Sequence, residues 1–299
     1  MSVIPANLLS NSPEIPSKTQ FAAIIGESPS QGARSPRLWN LAYRSLGVHT
    51  TMYPFDVSPD NLESLLGSLE TNPYFVGGCV AVPYKENICK ILSKNVTTEA
   101  LGIGAVNAIF RNSHGELFGT NTDGEAALKS LISTNGTIVD SSVLILGGGG
   151  AGKSLCPYVS KAVGEKGSIL LACRSNFPSE AQTKRLGLSG TVKWHEINSV
   201  APSIDILINC TTVGYGINHA SSPLSLAELE CFSKLSLVYD IIYDPDQTKL
   251  LQYAHELNLR TLNGVAMNLE QAVLAFKYAL PHEFQDLSCD KIRSFMKKA

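Results

Sequence analysis

The chain has 299 residues, with 24 basic against 26 acidic side chains and a formal net charge of -2. That length accommodates two domains of about 100–200 residues each, and 17% charged with 44% apolar residues supply a substantial core. No run of Lys or Arg stands out, which argues against nucleic acid or an anionic membrane as a partner. No apolar stretch approaches the roughly 20 residues of a membrane span. The seven cysteines form no C-x-x-C pair and no His pair has ligand spacing, so a secreted disulfide framework and a structural metal are both disfavoured. The cytoplasm is the expected compartment.

Residues 1–18, polar and rich in Ser, Pro and Asn, have no basic stretch leading into an apolar run and read as a loose tail. Phe21–Ile25 reads as a strand ended by Gly26, followed by a polar loop from Glu27 to Arg34. Ser35-Pro36 opens a helix, with Ser as N-cap and Pro at the first helical position. Leu38, Leu41, Ala42 and Leu46 share one face of it, and Gly47 is placed to end it. Ser58-Pro59 repeats the start signal ahead of Leu62, Leu65, Leu66 and Leu69. Phe75–Val82 is a buried strand stopped by Pro83. Ala105–Phe110 and Leu117–Thr120 form a hairpin across Asn112-Ser-His-Gly115. Gly124–Leu131 is helical.

A second unit opens at Ser142. Strand Val143–Leu146 runs into glycines, then a helix from about Lys153 to Val163, with further strands at Ile169–Cys173, Ile206–Cys210 and Val238–Ile242. Gly187–Gly190 and Ile217–Pro223 read as loops. Alternating apolar runs and helical patterns predict an α/β fold with parallel sheets covered by helices.

Gly147, Gly149 and Gly152 reproduce G-x-G-x-x-G between a strand and a helix, with Gly150 and Ala151 where the helix begins. Glycines permit a tight turn and a close backbone approach to a pyrophosphate, and the helix offers its positive end to that anion. The spacing alone is weak; its place between strand and helix points to a dinucleotide. The next strand ends in Arg174-Ser175, where an NAD-type unit often carries an acidic residue. This favours the 2′-phosphate of NADP, with NAD as the alternative and a merely solvated arginine as the plainer reading.

Six blocks then follow in order: Val82-Pro83-Tyr84-Lys85; Gly104-Ala-Val-Asn107; Asn121-Thr122-Asp123-Gly124; Asn209-Cys-Thr211 with Gly214; Tyr243-Asp-Pro245 with Thr248; and Gly264, Met267 and Gln271-Ala272. Together they resemble the signature blocks of the shikimate/quinate dehydrogenase family, from Phe21 to about Tyr278. The resemblance implies an N-terminal α/β substrate domain over 19–122, with helices of 270–299 packing back on it. It also implies a C-terminal Rossmann-type dinucleotide-binding domain over 123–269 and a cleft between the two.

The implied activity is NADP-dependent interconversion of a cyclic hydroxy acid and its ketone, shikimate or quinate, by a monomer or homodimer whose partner is that small molecule. Lys85 and Asp123 match the catalytic pair. Asn107, Tyr243 and Gln271 match positions that bond the ring hydroxyls or carboxylate. Thr211 and Met267 match positions near the nicotinamide, and Gly264 lies in the last cofactor-side block. The chemistry needs such a pair: the hydroxyl proton must reach a base, a neutral amine takes it, and a neighbouring carboxylate orients the amine. Structural alternatives stay open: Asn107 as a turn brace, Gln271 as an ordinary helix residue, Met267 as core filling.

The departures from the family gather at the substrate. Its Ser-x-Ser-Pro is Ala33-Arg34-Ser35-Pro36, which keeps one hydroxyl, and its Asn-Val-Thr is Cys79-Val80-Ala81. Each lost hydrogen bond to a charged group costs about 1.5–3 kcal/mol of binding. Arg34 either takes the substrate carboxylate bidentately or points to solvent. A kept catalytic pair beside an altered recognition set favours a changed substrate. The competing reading is a non-catalytic sensor of a metabolite or nucleotide. A folate-handling methylene dehydrogenase is opposed by Asn121-Thr122-Asp123 and by Gln271.

Overall fold

The computed structural model describes residues 4–175 and 177–297. The chain divides into two compact units, Met1–Thr122 with Gln271–Ala299, and Asp123–Glu270.

The first unit is laid out as β1 (Phe21–Gly26), α1 (Ser35–Leu46), β2 (Thr51–Asp56), α2 (Leu62–Thr71), β3 (Phe75–Val80), α3 (Lys85–Leu92), α4 (Thr98–Ile103), β4 (Ala108–Arg111) and β5 (Leu117–Thr120). Its five-stranded sheet has the order β2-β1-β3-β4-β5. β1 is buried at every position because it runs parallel between β2 and β3. β4 and β5 are the expected antiparallel hairpin. On one face Phe21 packs against Phe55 and Phe75, with ring centroids 6.1 and 5.5 Å apart. On α1, Trp39 and Tyr43 pack on Phe276, at 5.1 and 4.8 Å.

Several expectations shift. Ser35 is the first helical residue of α1 and no side chain caps it, while Gly47 ends the helix at φ 69° as expected. β2 is an additional strand, which carries Pro54 and lies at the sheet edge, where a missing N–H is tolerated. α3 and α4 are additional helices; α3 turns Ile88, Cys89, Ile91 and Leu92 to the core, and α4 is only six residues long.

The loose tail expected over 1–18 is corrected: residues 1–3 lie outside the described residues, but Ile4 is buried in the first unit's core cluster, Leu9 and Ile15 pack against that cluster, and Leu8 is buried. The Asn11 side chain donates to the Pro54 carbonyl at 2.9 Å and accepts the Asp56 N–H at 3.0 Å. The segment thus covers the edge of β2 and satisfies backbone groups that would otherwise face solvent.

The second unit runs α5 (Asp123–Asn135), β6 (Ser142–Leu146), α6 (Gly150–Val163), β7 (Ser168–Cys173), α7 (Glu180–Arg185), β8 (Gly190–Lys193), α8 (Ile197–Val200), β9 (Ile206–Asn209), α9 (Leu226–Glu230), β10 (Leu237–Asp240), α10 (Lys249–Glu256) and β11 (Arg260–Leu262). α11 (Val265–Tyr278) begins in this unit and belongs to the first from Gln271 on, and α12 (Cys289–Met296) follows. The six-stranded sheet is parallel throughout, in the order β11-β10-β9-β6-β7-β8. The unit's first strand is central, and the order reverses beside it between β6 and β9, as in a doubly wound dinucleotide fold. β8 and β11 are short edge strands; β8 begins at the end of a segment read as a loop. α6 starts at Gly150, three residues earlier than expected. Among the described residues no helix is long and apolar enough to cross a membrane.

Gly78 shows how tightly the first sheet is built: a Cβ there would lie 1.7 Å from the Ala23 carbonyl oxygen. Gly78→Ala is therefore expected to destabilise the chain by more than about 3 kcal/mol, read by urea unfolding. A loss within about 0.5 kcal/mol would contradict this β1–β3 packing.

Candidate active site

In the first unit, β1, β3 and β5 run in the same direction and β4 against them. The segments that leave β1, β3 and β5, and the one that enters β4, therefore meet at one edge of the sheet. Arg34 and Ser35 follow β1, Lys85 follows β3, Asn107 precedes β4, and Asn121-Thr122 follows β5.

Hydrogen bonds tie this edge together. The Lys85 carbonyl accepts the Val106 N–H at 2.9 Å. Asn107, 1% exposed, accepts the Thr122 N–H on Oδ1 at 2.8 Å and donates from Nδ2 to the Thr122 hydroxyl at 3.0 Å. The Thr122 hydroxyl donates to the Gln271 carbonyl at 3.2 Å. Asn121 donates to the Ala105 carbonyl at 3.0 Å. Lys85, Asn107, Thr122 and Gln271 are thus gathered by backbone and side-chain bonds. Thr122, which bonds to the Asn107 and Gln271 segments, stands in a recognised block, but residue type alone gave no sign of its position.

Lys85 opens α3, partly buried, after cis Val82-Pro83 and a Tyr84 whose hydroxyl donates to the Val57 carbonyl at 2.6 Å. Ser35 is buried and Arg34 half-buried. The loop leading to them is held by Asp56, which accepts the Ser30 N–H at 2.9 Å and also the Ser30 hydroxyl; sequence reading did not single Asp56 out. Cys79 is buried opposite Ile24, and its neighbour Tyr43, buried, has its phenol pushed up by desolvation first and by Cys79 second. A Cβ at Gly26 would lie 3.0 Å from the Ala81 methyl, so Ala81 faces the end of β1.

In the second unit all strands are parallel, so Gly147, Arg174, Thr211, Tyr243 and Gly264, each just past a strand, share the C-terminal edge of the sheet. Gly147 adopts φ 103°, and a Cβ on it would lie 3.0 Å from the Thr211 methyl. A Cβ at Gly152 would lie 1.9 Å from the Gly147 carbonyl oxygen. The turn therefore needs glycine at both positions. Gly149 instead has nothing within 4 Å of such a Cβ, which leaves open space at the N-terminus of α6. Gly150 and Ala151 are the first two residues of α6, whose N–H groups have no acceptor within the helix. The cradle fits a pyrophosphate at the switch point of the sheet.

Arg174 and Ser175 are exposed beyond β7, and Met267 is buried in the first turn of α11. Gly264 has a packing reason: a Cβ would sit 1.8 Å from the Ile241 carbonyl oxygen. Tyr243 is half-buried after β10. Asp123, 3% exposed, opens α5, and its charge helps raise the Cys210 thiol, after burial, Cys156 and Asp240. Gly124 beside it lets α5 and α6 touch, since a Cβ would lie 2.0 Å from the Ser154 carbonyl oxygen. Among the described residues no group of three or more His, Cys, Asp and Glu is placed to hold a metal.

Thr211 hangs on a buried network that sequence reading missed. Asn209 accepts the Thr211 hydroxyl at 2.8 Å and its N–H at 3.0 Å, and donates to Asp240 at 3.0 Å. Asp240 also accepts the Thr248 hydroxyl at 2.7 Å and the Ile242 N–H at 3.1 Å. Burial pushes the Asp240 carboxyl up to about 6, although these hydrogen bonds pull it down.

The second unit has the strand order and the glycine turn of a dinucleotide-binding unit, and the first carries a lysine, a threonine and two amide side chains at one sheet edge. Residues 24–109 match the family profile described as the shikimate dehydrogenase substrate binding domain. A shikimate dehydrogenase (NADP+) of Caldanaerobacter subterraneus subsp. tengcongensis is 34% identical over 289 residues, 95% of this chain and 100% of the relative. That of Thermosynechococcus vestitus is 32% identical over 277 residues, 90% and 92% of the two chains. The shikimate 5-dehydrogenase of Thermus thermophilus, solved with NADP(H) and shikimate, superposes with a TM-score of 0.74 at 26% identity, covering 94% of this chain and 99% of that one. The chain belongs to the shikimate dehydrogenase family.

The folded value of Asp240, about 6, lies above the roughly 3.9 of an unfolded Asp. The folded chain thus keeps a proton that the unfolded chain releases between about pH 4 and 6. This stabilisation is full below about pH 4 and is lost as pH rises to 6, about 2–3 kcal/mol in all. Urea unfolding across that window is expected to lose this slope in Asp240→Asn; identical pH dependence in the two proteins would contradict it.

Proposed function

We propose that the chain is an NADP-dependent oxidoreductase that interconverts a cyclic hydroxy acid and its ketone, shikimate with 3-dehydroshikimate or quinate with 3-dehydroquinate. Family membership supports the reaction class. The observation that carries it is the hydrogen-bonded edge of the first unit, where Lys85 opens a helix beside Asn107 and Thr122.

The Gly147–Ala151 turn would hold the pyrophosphate, with Arg174 and Ser175 at the ribose 2′-phosphate and Thr211, Gly264 and Met267 on the nicotinamide side. NADP held there would supply the hydride acceptor for oxidation of the carbinol carbon and, reduced, the donor for the reverse. Lys85, as the neutral amine, takes the hydroxyl proton in oxidation and gives it back as the ammonium in reduction. On the family pattern Asp123 is the carboxylate assigned as the partner of that lysine. Asn107, Tyr243, Gln271, Ser35 and Arg34 orient the ring hydroxyls and carboxylate. NAD is the alternative cofactor, and the protein is read as a cytoplasmic monomer or homodimer; none of its seven cysteines is in a disulfide.

Cys79 and Ala81 favour a ring hydroxy acid whose recognition differs from that of shikimate. Each replaces a polar side chain of the family pattern, and each lies at or beside the C-terminal end of β3.

Shikimate and quinate, each mixed with NADP+ or NAD+, are expected to give nicotinamide reduction with at least one acid, faster with NADP+. Lys85→Ala is expected to lower kcat about 10²- to 10⁴-fold with an unchanged melting temperature. Near-normal turnover in that variant would remove Lys85 from its role. Nucleotide binding without turnover of any ring hydroxy acid would leave a metabolite-binding regulator instead.

A further inference from the structure

β7 and β8 are parallel neighbours, with Ala172 opposite Val192 and Cys173 opposite Lys193. One residue further along stand Arg174 and Trp194, so strand pairing brings these two side chains together where both strands leave the sheet. The Arg174 guanidinium lies over the Trp194 ring, 4.8 Å from its centroid. The indole is partly buried against the apolar cluster that includes Val192, Ile197 and Ala201. It is therefore a plate fixed by packing, with an exposed arginine laid on it. The side chains on either side of Trp194, Lys193 and His195, both reach Glu196 at 3.7 Å. An arginine face on a ring keeps its N–H edge directed outward, where it can bond an anion in plane.

We propose that Trp194 is a positioning residue for nucleotide choice: it holds the Arg174 guanidinium so that its N–H edge, with the Ser175 hydroxyl beside it, takes a phosphate monoester on the ribose of an adenine nucleotide. The assignment rests on the reading that the second unit binds NADP, and it adds a residue to that site. A free arginine side chain must give up its rotamer freedom when it binds phosphate. One already laid on an indole has given up most of it, so more of the bidentate interaction appears as affinity.

Adenosine 2′,5′-bisphosphate and 5′-AMP differ only in the 2′-phosphate, and calorimetric titration of the full chain with each isolates that group. The wild-type chain is expected to prefer the bisphosphate. Trp194→Leu keeps apolar volume for the cluster but has no π face; it is expected to lose about three- to tenfold of the preference, through weaker bisphosphate binding alone. Trp194→Phe restores a π face and is expected to retain most of the preference. The proposal is overturned if Trp194→Leu keeps the wild-type preference. It is overturned too if the Leu and Phe variants lose the preference equally, or if both nucleotides weaken together, since packing alone would then explain the effect. A wild-type chain that binds the two equally also overturns it. A wild-type chain that binds neither removes the NADP reading itself.

Discussion

A buried N–H that needs an acceptor organises the first unit. Thr122 is 3% exposed, and its N–H is met by the Asn107 carboxamide at 2.8 Å. Left unmet, such a donor costs about 1–3 kcal/mol. The same carboxamide donates to the Thr122 hydroxyl, which in turn donates to the Gln271 carbonyl, while the neighbouring Val106 N–H reaches the Lys85 carbonyl. Four segments far apart in sequence are thereby fixed at one sheet edge. The next residue in the chain, Asp123, opens the other unit, so the brace also fixes where the chain leaves the first.

The second unit depends on close backbone approach. Gly147, Gly152, Gly264 and Gly124 each stand where a Cβ would press on a neighbouring backbone or side chain at 3.0 Å or less. The glycine turn can therefore keep its shape only with helix and strand ends nearly in contact. The buried Asp240–Asn209–Thr211 chain of bonds then holds the loop after β9 against that turn. Burial raises the Asp240 carboxyl, and the hydrogen bonds from Thr248, Ile242 and Asn209 offset part of that cost.

Much of this was readable before any coordinates. β1, the hairpin, α1 with its Gly47 stop and the glycine turn all carry strong local signals: unbroken apolar runs, turn residues and a left-handed glycine. Edge strands β2, β8 and β11 escaped because they are incompletely buried and the last two are short, and Pro54 disguises the first of them. The N-terminal segment looked loose because its polar composition hides two anchoring apolar side chains and Asn11, whose partners lie more than forty residues away. At the site, the signature blocks marked Lys85, Asn107 and Asp123 but did not disclose what they bond. Asp56, Asp240 and Trp194 belong to pairings across the fold, which no local pattern carries.

The proposed activity is hydride transfer between a ring carbinol and a nucleotide held at the glycine turn. The direct measurement is the fate of deuterium placed on the carbon that bears the reacting hydroxyl, in shikimate or quinate, incubated with the full chain and NADP+. Deuterium recovered on the nicotinamide ring of the reduced nucleotide, read by NMR, is the predicted result. Ketone formed with the label released to water, or absent from the nucleotide, would contradict it.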